Sequence, residues 1–328
     1  MSPPSLFSVV IPVYDGGDDL IRCLEALRAS TMTDYECIVV DDGSRDGSGE
    51  VARRYRAQVL ETGGPLGPAA ARNRGAAMAN GEFLFFVDAD CEVHPDTLEN
   101  ARRTLEADPG LDGLFGSYDT EPAAPGAVSQ FKNLFHHWVH QQADGEADTF
   151  WAGCGVVRRS RFEEVGGFDA DRYARPSIED IELGYRLAAA GARVVVARDV
   201  QVRHLKRWRL WDLVRTDVFR RGVPWTRLML ERGRRGRELN VDRKGRLSVA
   251  LVGLALVASA AAWVRLEWLA LVALALVLVA LLNLRLYLFF ARCRGLAFLV
   301  AAVPLHVLYC FYSGCAYVLG VARHLARV

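Results

Sequence analysis

The first hundred residues alternate short apolar runs with amphipathic stretches. Phe7 to Val13 (FSVVIPV) is β-branched and of strand length, and Asp18 to Ala29 then places Leu20, Ile21, Leu24 and Leu27 on one helical face. Glu36 to Val40 (ECIVV) predicts a second buried strand that ends in Asp41-Asp42-Gly43-Ser44, followed by a helix over Gly49 to Tyr55. A brief third strand around Gln58 to Glu61 leads through the turn-rich Gly63-Gly64-Pro65-Leu66-Gly67-Pro68 into an Ala-rich helix, Ala69 to Ala79. Gly81 to Val87 supplies the fourth strand. Four such alternations predict an α/β fold, a Rossmann-like and mostly parallel sheet with right-handed crossovers.

Further on, a strand is expected around Gly113 to Tyr118, a helix from Phe131 to His140, and a last strand within Val194 to Val202. Ser177 reads as an N-cap with Asp180 three residues on, opening a packed helix that carries Ile181, Tyr185 and Leu187. The pattern then changes. Apolar runs over 247–264, 266–284 and 296–321, the last interrupted by Pro304 and His306, predict three transmembrane helices, with a tight hairpin through Arg265-Leu266-Glu267. The expected organisation is a head over residues 1–205, an interfacial collar over 206–246 and a membrane region over 247–328.

Charge sharpens that division. The chain is 51% hydrophobic with a formal net charge of +1, yet residues 203–246 hold fifteen Lys/Arg against five Asp/Glu, while residues 1–202 hold nineteen against thirty-three. A basic collar next to apolar spans, with Trp208, Trp211 and Trp225 among its arginines, matches anionic lipid headgroups, and no nucleic-acid recognition motif accompanies it. Nucleic acid is therefore not expected as a partner; the membrane is. The positive-inside rule puts the collar and Arg285, Arg292 and Arg294 in the cytoplasm, although it then leaves Arg323 to Val328 outside. Met1 to Ser5 shows no signal-peptide pattern, so the head is expected on the cytoplasmic side of the cell (inner) membrane. Seven cysteines without a CxxC pair indicate neither a zinc site nor a disulfide framework.

The chemistry concentrates at strand ends. Asp88-Ala89-Asp90 closes the fourth strand, and in an extended chain its two carboxylates face the same way and can share a hard cation; alone, the motif could equally begin a surface turn. Asp41-Asp42 closes the second strand on the same sheet edge, where open α/β sheets bind ligands. Neither GxGxxG nor GxxxxGK[ST] occurs near the first strand, which argues against a dinucleotide fold and a P-loop.

Val9-Val10-Ile11-Pro12-Val13-Tyr14, Val39-Val40-Asp41-Asp42-Gly43-Ser44-Arg45-Asp46-Gly47-Ser48, Ala71-Arg72-Asn73-Arg74-Gly75 and Asp88-Ala89-Asp90 together resemble, in this order, the nucleotide-sugar half of family 2 glycosyltransferases with a GT-A fold. The resemblance covers about residues 6–205. It implies a nucleotide-diphosphate sugar donor, with Pro12 and Asp42 on the nucleotide side, Asp42 touching the base and Arg72 near it. Asp88 then faces the ribose, and Asp90 binds a Mg²⁺ or Mn²⁺ on the diphosphate. For Arg72 the alternative is a solvated helix face.

Thr149 to Arg159 resembles the family's acceptor-side segment, its glycines either admitting the sugar or marking a simple turn. Glu179-Asp180 resembles the pair from which inverting members take their base, with Asp180 as base and Glu179 orienting the acceptor; the alternative is an acidic first turn complementing the helix dipole. His204, after the last strand, is a candidate further metal ligand or a residue that merely caps the strand end. His136 and His140 lie one turn apart but without an HExxH glutamate, so lining or packing is preferred to metal binding. Cys154 carries no implied nucleophilic role. Processive synthases of the family carry Gln-x-x-Arg-Trp near the collar; Arg221-Gly222-Val223-Pro224-Trp225 stands here instead, which counts against processive synthesis.

The expectation is an inverting, metal-dependent glycosyltransferase acting on a lipid or lipid-linked acceptor hydroxyl. Two rivals are transfer to polyprenyl phosphate and a non-catalytic subunit that binds a nucleotide sugar.

Overall fold

The computed structural model describes residues 5–143, 145–233 and 243–326. The start of the chain at 1–4, Asp144, the middle of the basic collar at 234–242 and the last two residues, 327–328, lie outside the described residues. Two compact units result, Met1–Ala124 with Val139–Lys206, and Pro125–Trp138 with Arg207–Val328.

The first unit is built on an eight-stranded sheet. Its first half is β1 (Phe7–Val13), β2 (Tyr35–Asp41), β3 (Gln58–Glu61) and β4 (Phe83–Val87), with β2 and β4 flanking β1 and all pairs parallel. Crossovers run through α1 (Gly17–Arg28), α2 (Ser48–Arg54) and α3 (Pro68–Met78). Phe7, Val9, Val10 and Ile11 are fully buried, as a central parallel strand covered on both faces requires. Gly75 explains how closely α3 lies on the sheet: a Cβ there would stand 2.4 Å from Val10 Cγ1 and 3.0 Å from Val40 Cγ2.

The other half is mixed rather than parallel. β5 (Cys91–Val93), β6 (Gly113–Tyr118), β7 (Cys154–Arg158) and β8 (Val194–His204) complete the order β3-β2-β1-β4-β7-β6-β8-β5. β7 is antiparallel to β4 and β6, and β5 is antiparallel to β8. Here α4 (Thr97–Ala107), α5 (Ala127–Gln141), α6 (Arg159–Glu164) and α7 (Glu179–Ala189) make the connections. The helix after Pro176 starts at Glu179 with Ile178, rather than Ser177, at its cap, and the Ser177 N–H donates to Glu179 Oε2 at 2.8 Å.

The second unit is helical: α8 (Leu210–Arg215), a π-helical turn (Thr216–Gly222), α9 (Val223–Arg232), α10 (Arg243–Ala261), α11 (Trp268–Leu282), α12 (Leu284–Arg294) and α13 (Leu299–Leu325). Pro224 has no N–H for the carbonyl four residues back, which favours the wider register just before it. Small residues bring α9 and its π-helical lead onto α13. A Cβ on Gly222 would meet Ala316 Cβ at 2.7 Å, and one on Gly320 would meet Thr226 Cβ at 2.5 Å. A buried ion pair crosses the same unit: Lys132 Nζ donates to Asp217 Oδ1 at 2.8 Å, and the Tyr312 hydroxyl donates to Asp217 Oδ2 at 2.8 Å. Burial works against the Asp217 charge, but Lys132 and Arg221 hold its carboxyl below the usual range.

Among the described residues two helices are long and apolar enough to span a membrane, and a bent pair makes the expected third if it is counted as one span. Arg243–Ala261 and Leu296–Leu325 are each long and apolar enough to cross a membrane. The stretch expected at 266–284 is a 15-residue helix, α11, short of the roughly 20 residues a span needs, and it reaches that length only together with α12 across a 66° bend. The bend falls at Asn283, whose amide donates to Val279 O and to Ser248 Oγ, each at 2.9 Å, instead of lying against solvent or lipid.

Candidate active site

The carboxyl ends of β1, β2 and β4 form one edge of the sheet. Asp41 is the last residue of β2 and accepts the Ser44 N–H at 2.8 Å, which tightens the turn through Gly43. Asp42 follows, and its N–H donates to Val13 O at 2.8 Å. Its carboxylate is buried and accepts three groups from the segment before α3: Thr62 Oγ1 at 2.8 Å, Leu66 N at 3.0 Å and Gly67 N at 2.7 Å. Asp42 thus fixes the turn into α3. Gly67 sits there at φ +95°, and a Cβ on it would stand 2.3 Å from Ala174 O. Half-buried Pro12 is paired with Val40 in register near the end of β1. A cleft of about 370 Å³ opens beside Asp41, lined by Gly43, Ser44, Arg45 and Gly63 among others.

Residues 88–90 form a turn rather than a continued strand, with Cys91 N donating to Asp88 O at 3.0 Å. The alternation that would aim both aspartates one way therefore fails, and each has its own partner. Asp88 Oδ1 accepts Arg72 Nη2 at 2.7 Å, and Arg72 Nη1 donates to Glu179 Oε1 at 3.2 Å. Arg72 is buried, not on a solvated helix face. Burial works against its charge, but the Asp88 and Glu179 carboxylates hold it protonated.

Asp90 meets His204. The antiparallel β5–β8 pair sets Cys91 opposite His204, and this brings His204 Nε2 to 3.6 Å from Asp90 Oδ2. Lys206 Nζ lies 4.0 Å from the same oxygen. Burial opposes the Asp90 charge, yet His204 and Lys206 hold its carboxyl down at about 2. His204 is itself buried and stacks on Tyr118 with ring centroids 4.3 Å apart. Asp19, in the first turn of α1, joins this neighbourhood: burial and then the Asp90 charge raise its carboxyl above the usual range. Nothing in the sequence pattern singles out Asp19, because an acidic first turn is ordinary helix chemistry. Among the described residues no three His, Cys, Asp or Glu side chains converge on a ready-made cation cage. One carboxylate oxygen and one imidazole nitrogen nevertheless form a donor set that suits Mn²⁺ or Mg²⁺ when a ligand's oxygens complete the shell.

Asp180 stands in the first turn of α7, half-buried, and its Oδ2 accepts the Ala152 N–H at 3.3 Å. The segment that supplies this N–H is clamped against α7 at Gly184, where a Cβ would lie 2.3 Å from Phe150 N. Trp151 packs edge-on to Tyr118 at 4.9 Å, so a chain of rings runs from His204 to the Asp180 side. Gly153 and Gly155 have a local reason: Cβ atoms there would meet the Trp151 indole at 2.6 Å and Trp151 O at 2.4 Å. His140 is buried, bonds Gly116 O through Nδ1 at 2.8 Å and packs on Phe115 and Trp151, which favours packing. Cys154 is fully buried, and burial pushes its thiol up, away from nucleophilic use.

Comparison with known proteins bears on the fold and the family. The family model "Glycosyl transferase family 2" matches residues 8–166. An uncharacterized glycosyltransferase of Escherichia coli, YibD, is 38% identical over 117 residues, 34% of this chain and 33% of its own length. Glycosyltransferase AglE of Haloferax volcanii is 29% identical over 200 residues, 59% of this chain and 64% of its own. The chain therefore spans between a third and two thirds of the length of these relatives. Among solved structures, the mannosyltransferase PcManGT of Pyrobaculum calidifontis, in complex with GDP-Man and Mn²⁺, superposes with a TM-score of 0.55 at 20% identity, covering 94% of this chain and 88% of that one. Sheet order and these similarities lead to one conclusion: residues 8–166 match glycosyl transferase family 2, and the mixed α/β sheet that holds them is of the GT-A type.

Proposed function

We propose that the protein is an inverting glycosyltransferase that moves a sugar from a nucleotide-diphosphate sugar to a hydroxyl of a lipid or lipid-linked glycan at the cytoplasmic face of the cell membrane. The observation that carries this reading is the meeting of Asp90 with His204 on the same sheet edge as the Asp88–Arg72–Glu179 chain, with Asp180 next in sequence to Glu179. A pair of donors for a cation and a carboxylate base are what transfer from a diphosphate leaving group requires. That PcManGT is described with GDP-Man and Mn²⁺ supports a similar donor and ion here.

In this reading Pro12 and Asp42 shape the nucleotide side and Asp88 offers its carboxylate to the ribose. Asp90 and His204 would hold a Mg²⁺ or Mn²⁺, which would neutralise charge developing on the diphosphate. Asp180 takes the proton of the acceptor hydroxyl as its oxygen bonds to the anomeric carbon and the bond to the diphosphate oxygen breaks. Glu179 orients that acceptor. With one base and no protein nucleophile, the displacement occurs once and inverts the anomeric centre. Two helices apolar enough to cross a membrane favour an acceptor that is itself a lipid or lipid-linked.

The test is product stereochemistry. Full-length protein in detergent, given a nucleotide-sugar panel, Mn²⁺ and a membrane lipid extract, is expected to yield a glycosylated lipid whose anomeric proton reports the configuration opposite to the donor's. A retained configuration contradicts the assignment of Asp180 as base.

A further inference from the structure

We propose that Arg72 is a positioning residue that couples the donor-side carboxylate Asp88 to the start of α7 through Glu179, rather than a group that contacts the nucleotide. This rests on the glycosyltransferase reading of the site. Arg72 is turned inward onto two carboxylates. Its side chain is 6% exposed, one Nη is spent on Asp88 at 2.7 Å and the other on Glu179 at 3.2 Å. Its Nε is buried without a hydrogen-bond partner. Its guanidinium also lies over the Phe168 ring at 5.5 Å from the centroid. That ring is held in turn by the side chain next to Arg72: Asn73 Oδ1 accepts Phe168 N and Asn73 Nδ2 donates to Phe168 O, each at 2.8 Å.

Both ends of the brace lead to working groups. Asp88 is one third exposed and free to receive a ligand hydroxyl on its open side. Glu179 is almost fully buried, and its second oxygen takes the Ser177 N–H at 2.8 Å, so any shift of Arg72 is passed to the backbone that carries Asp180. The two carboxylates come from β4's end and α7's start, and only a planar fork reaches both at once; an ammonium on a flexible stem holds one or the other. Engagement of Asp88 by the donor is thereby linked to the placement of the base.

The experiment compares wild type, R72K and E179Q in the full-length protein. UDP and GDP binding with Mn²⁺ is measured by calorimetry, and turnover by hydrolysis of the matching nucleotide hexose. Coupling predicts that both variants keep nucleotide Kd and donor KM within about threefold while kcat falls about tenfold or more. E179Q keeps the volume and leaves Arg72 with Asp88, so it reports on the coupling even where R72K does not fold. A Kd weakened about tenfold in R72K with kcat intact overturns the proposal in favour of direct nucleotide contact, and so does an E179Q kcat within about twofold of wild type. Wild type that binds neither nucleotide and hydrolyses no donor overturns the function itself and the coupling with it, a pattern distinct from variant-specific failure.

Discussion

Asp90 and His204 stand 3.6 Å apart because the three-residue strand β5 pairs with the end of β8. This pairing turns a carboxylate at one strand end and a histidine at another into a single donor set. If the pair holds the ion, D90A is expected to abolish Mn²⁺-dependent donor hydrolysis. H204A should raise the Mn²⁺ concentration for half-maximal rate about tenfold or more. A Mn²⁺ titration of each variant checks this; an unchanged midpoint in H204A would remove the histidine from the site.

Asp180 accepts the Ala152 N–H on Oδ2 at 3.3 Å and the Ile181 N–H on Oδ1 at 2.8 Å, two bonds that orient the carboxylate proposed as the base. D180N should lower transfer to a hydroxyl acceptor by about 10²–10⁴ with nucleotide affinity unchanged. The comparison of calorimetric Kd with the transfer rate separates these effects. Transfer that survives D180N would point to an acceptor already ionised, such as a polyprenyl phosphate.

Gly184 lies against the backbone of Thr149 and Phe150, with contacts of 2.4 Å and 2.3 Å waiting for any Cβ. Backbone cannot rotate aside as a side chain can. G184A is expected to cost about 1–3 kcal/mol and to lower the melting temperature measurably. The control is G253A in α10, where a Cβ meets nothing within 4 Å; its melting temperature should not fall.

Lys132 and Asp217 form a buried pair in the helical unit, with Tyr312 as a third member. K132M leaves the carboxylate without its nearest cation and should destabilise by about 3–5 kcal/mol. K132M/D217N removes the charge, keeps an acceptor for the Tyr312 hydroxyl and should recover more than half of that loss. Denaturant unfolding of the single and double variants decides; additive losses would mean that the pair is not coupled.

Much of the fold was legible because its signals are local. The apolar runs at Phe7, Glu36 and Phe83 are strands since their side chains are buried on both faces, and the carboxylates after them fall on one sheet edge. What the sequence hid depends on contacts between distant segments. β5 is too short to announce itself, and without it Asp88 and Asp90 read as one extended motif. The burial of Arg72 was not legible, and a solvated helix face stayed open for it, because its partners, Asp88 and Glu179, come from separate elements. For Gly153 and Gly155 the sequence left sugar approach and a simple turn open, and it could not show that a Cβ on either would meet Trp151 or Phe150. The bend at Asn283 falls at the end of the expected run 266–284, but that the chain goes on as a helix, Leu284–Arg294, at 66° to the first was not legible.

The central claim is that Asp90 and its neighbours activate a nucleotide-diphosphate sugar. It is tested most directly by donor hydrolysis: the full-length protein in detergent, incubated with UDP-, GDP- and dTDP-sugars with and without Mn²⁺, with released nucleotide as the readout. The expected result is Mn²⁺-dependent release from one class of donor, lost in D90A. Release from no donor, even with membrane lipid extract present, would contradict the claim and leave a protein that binds a nucleotide sugar without transferring it.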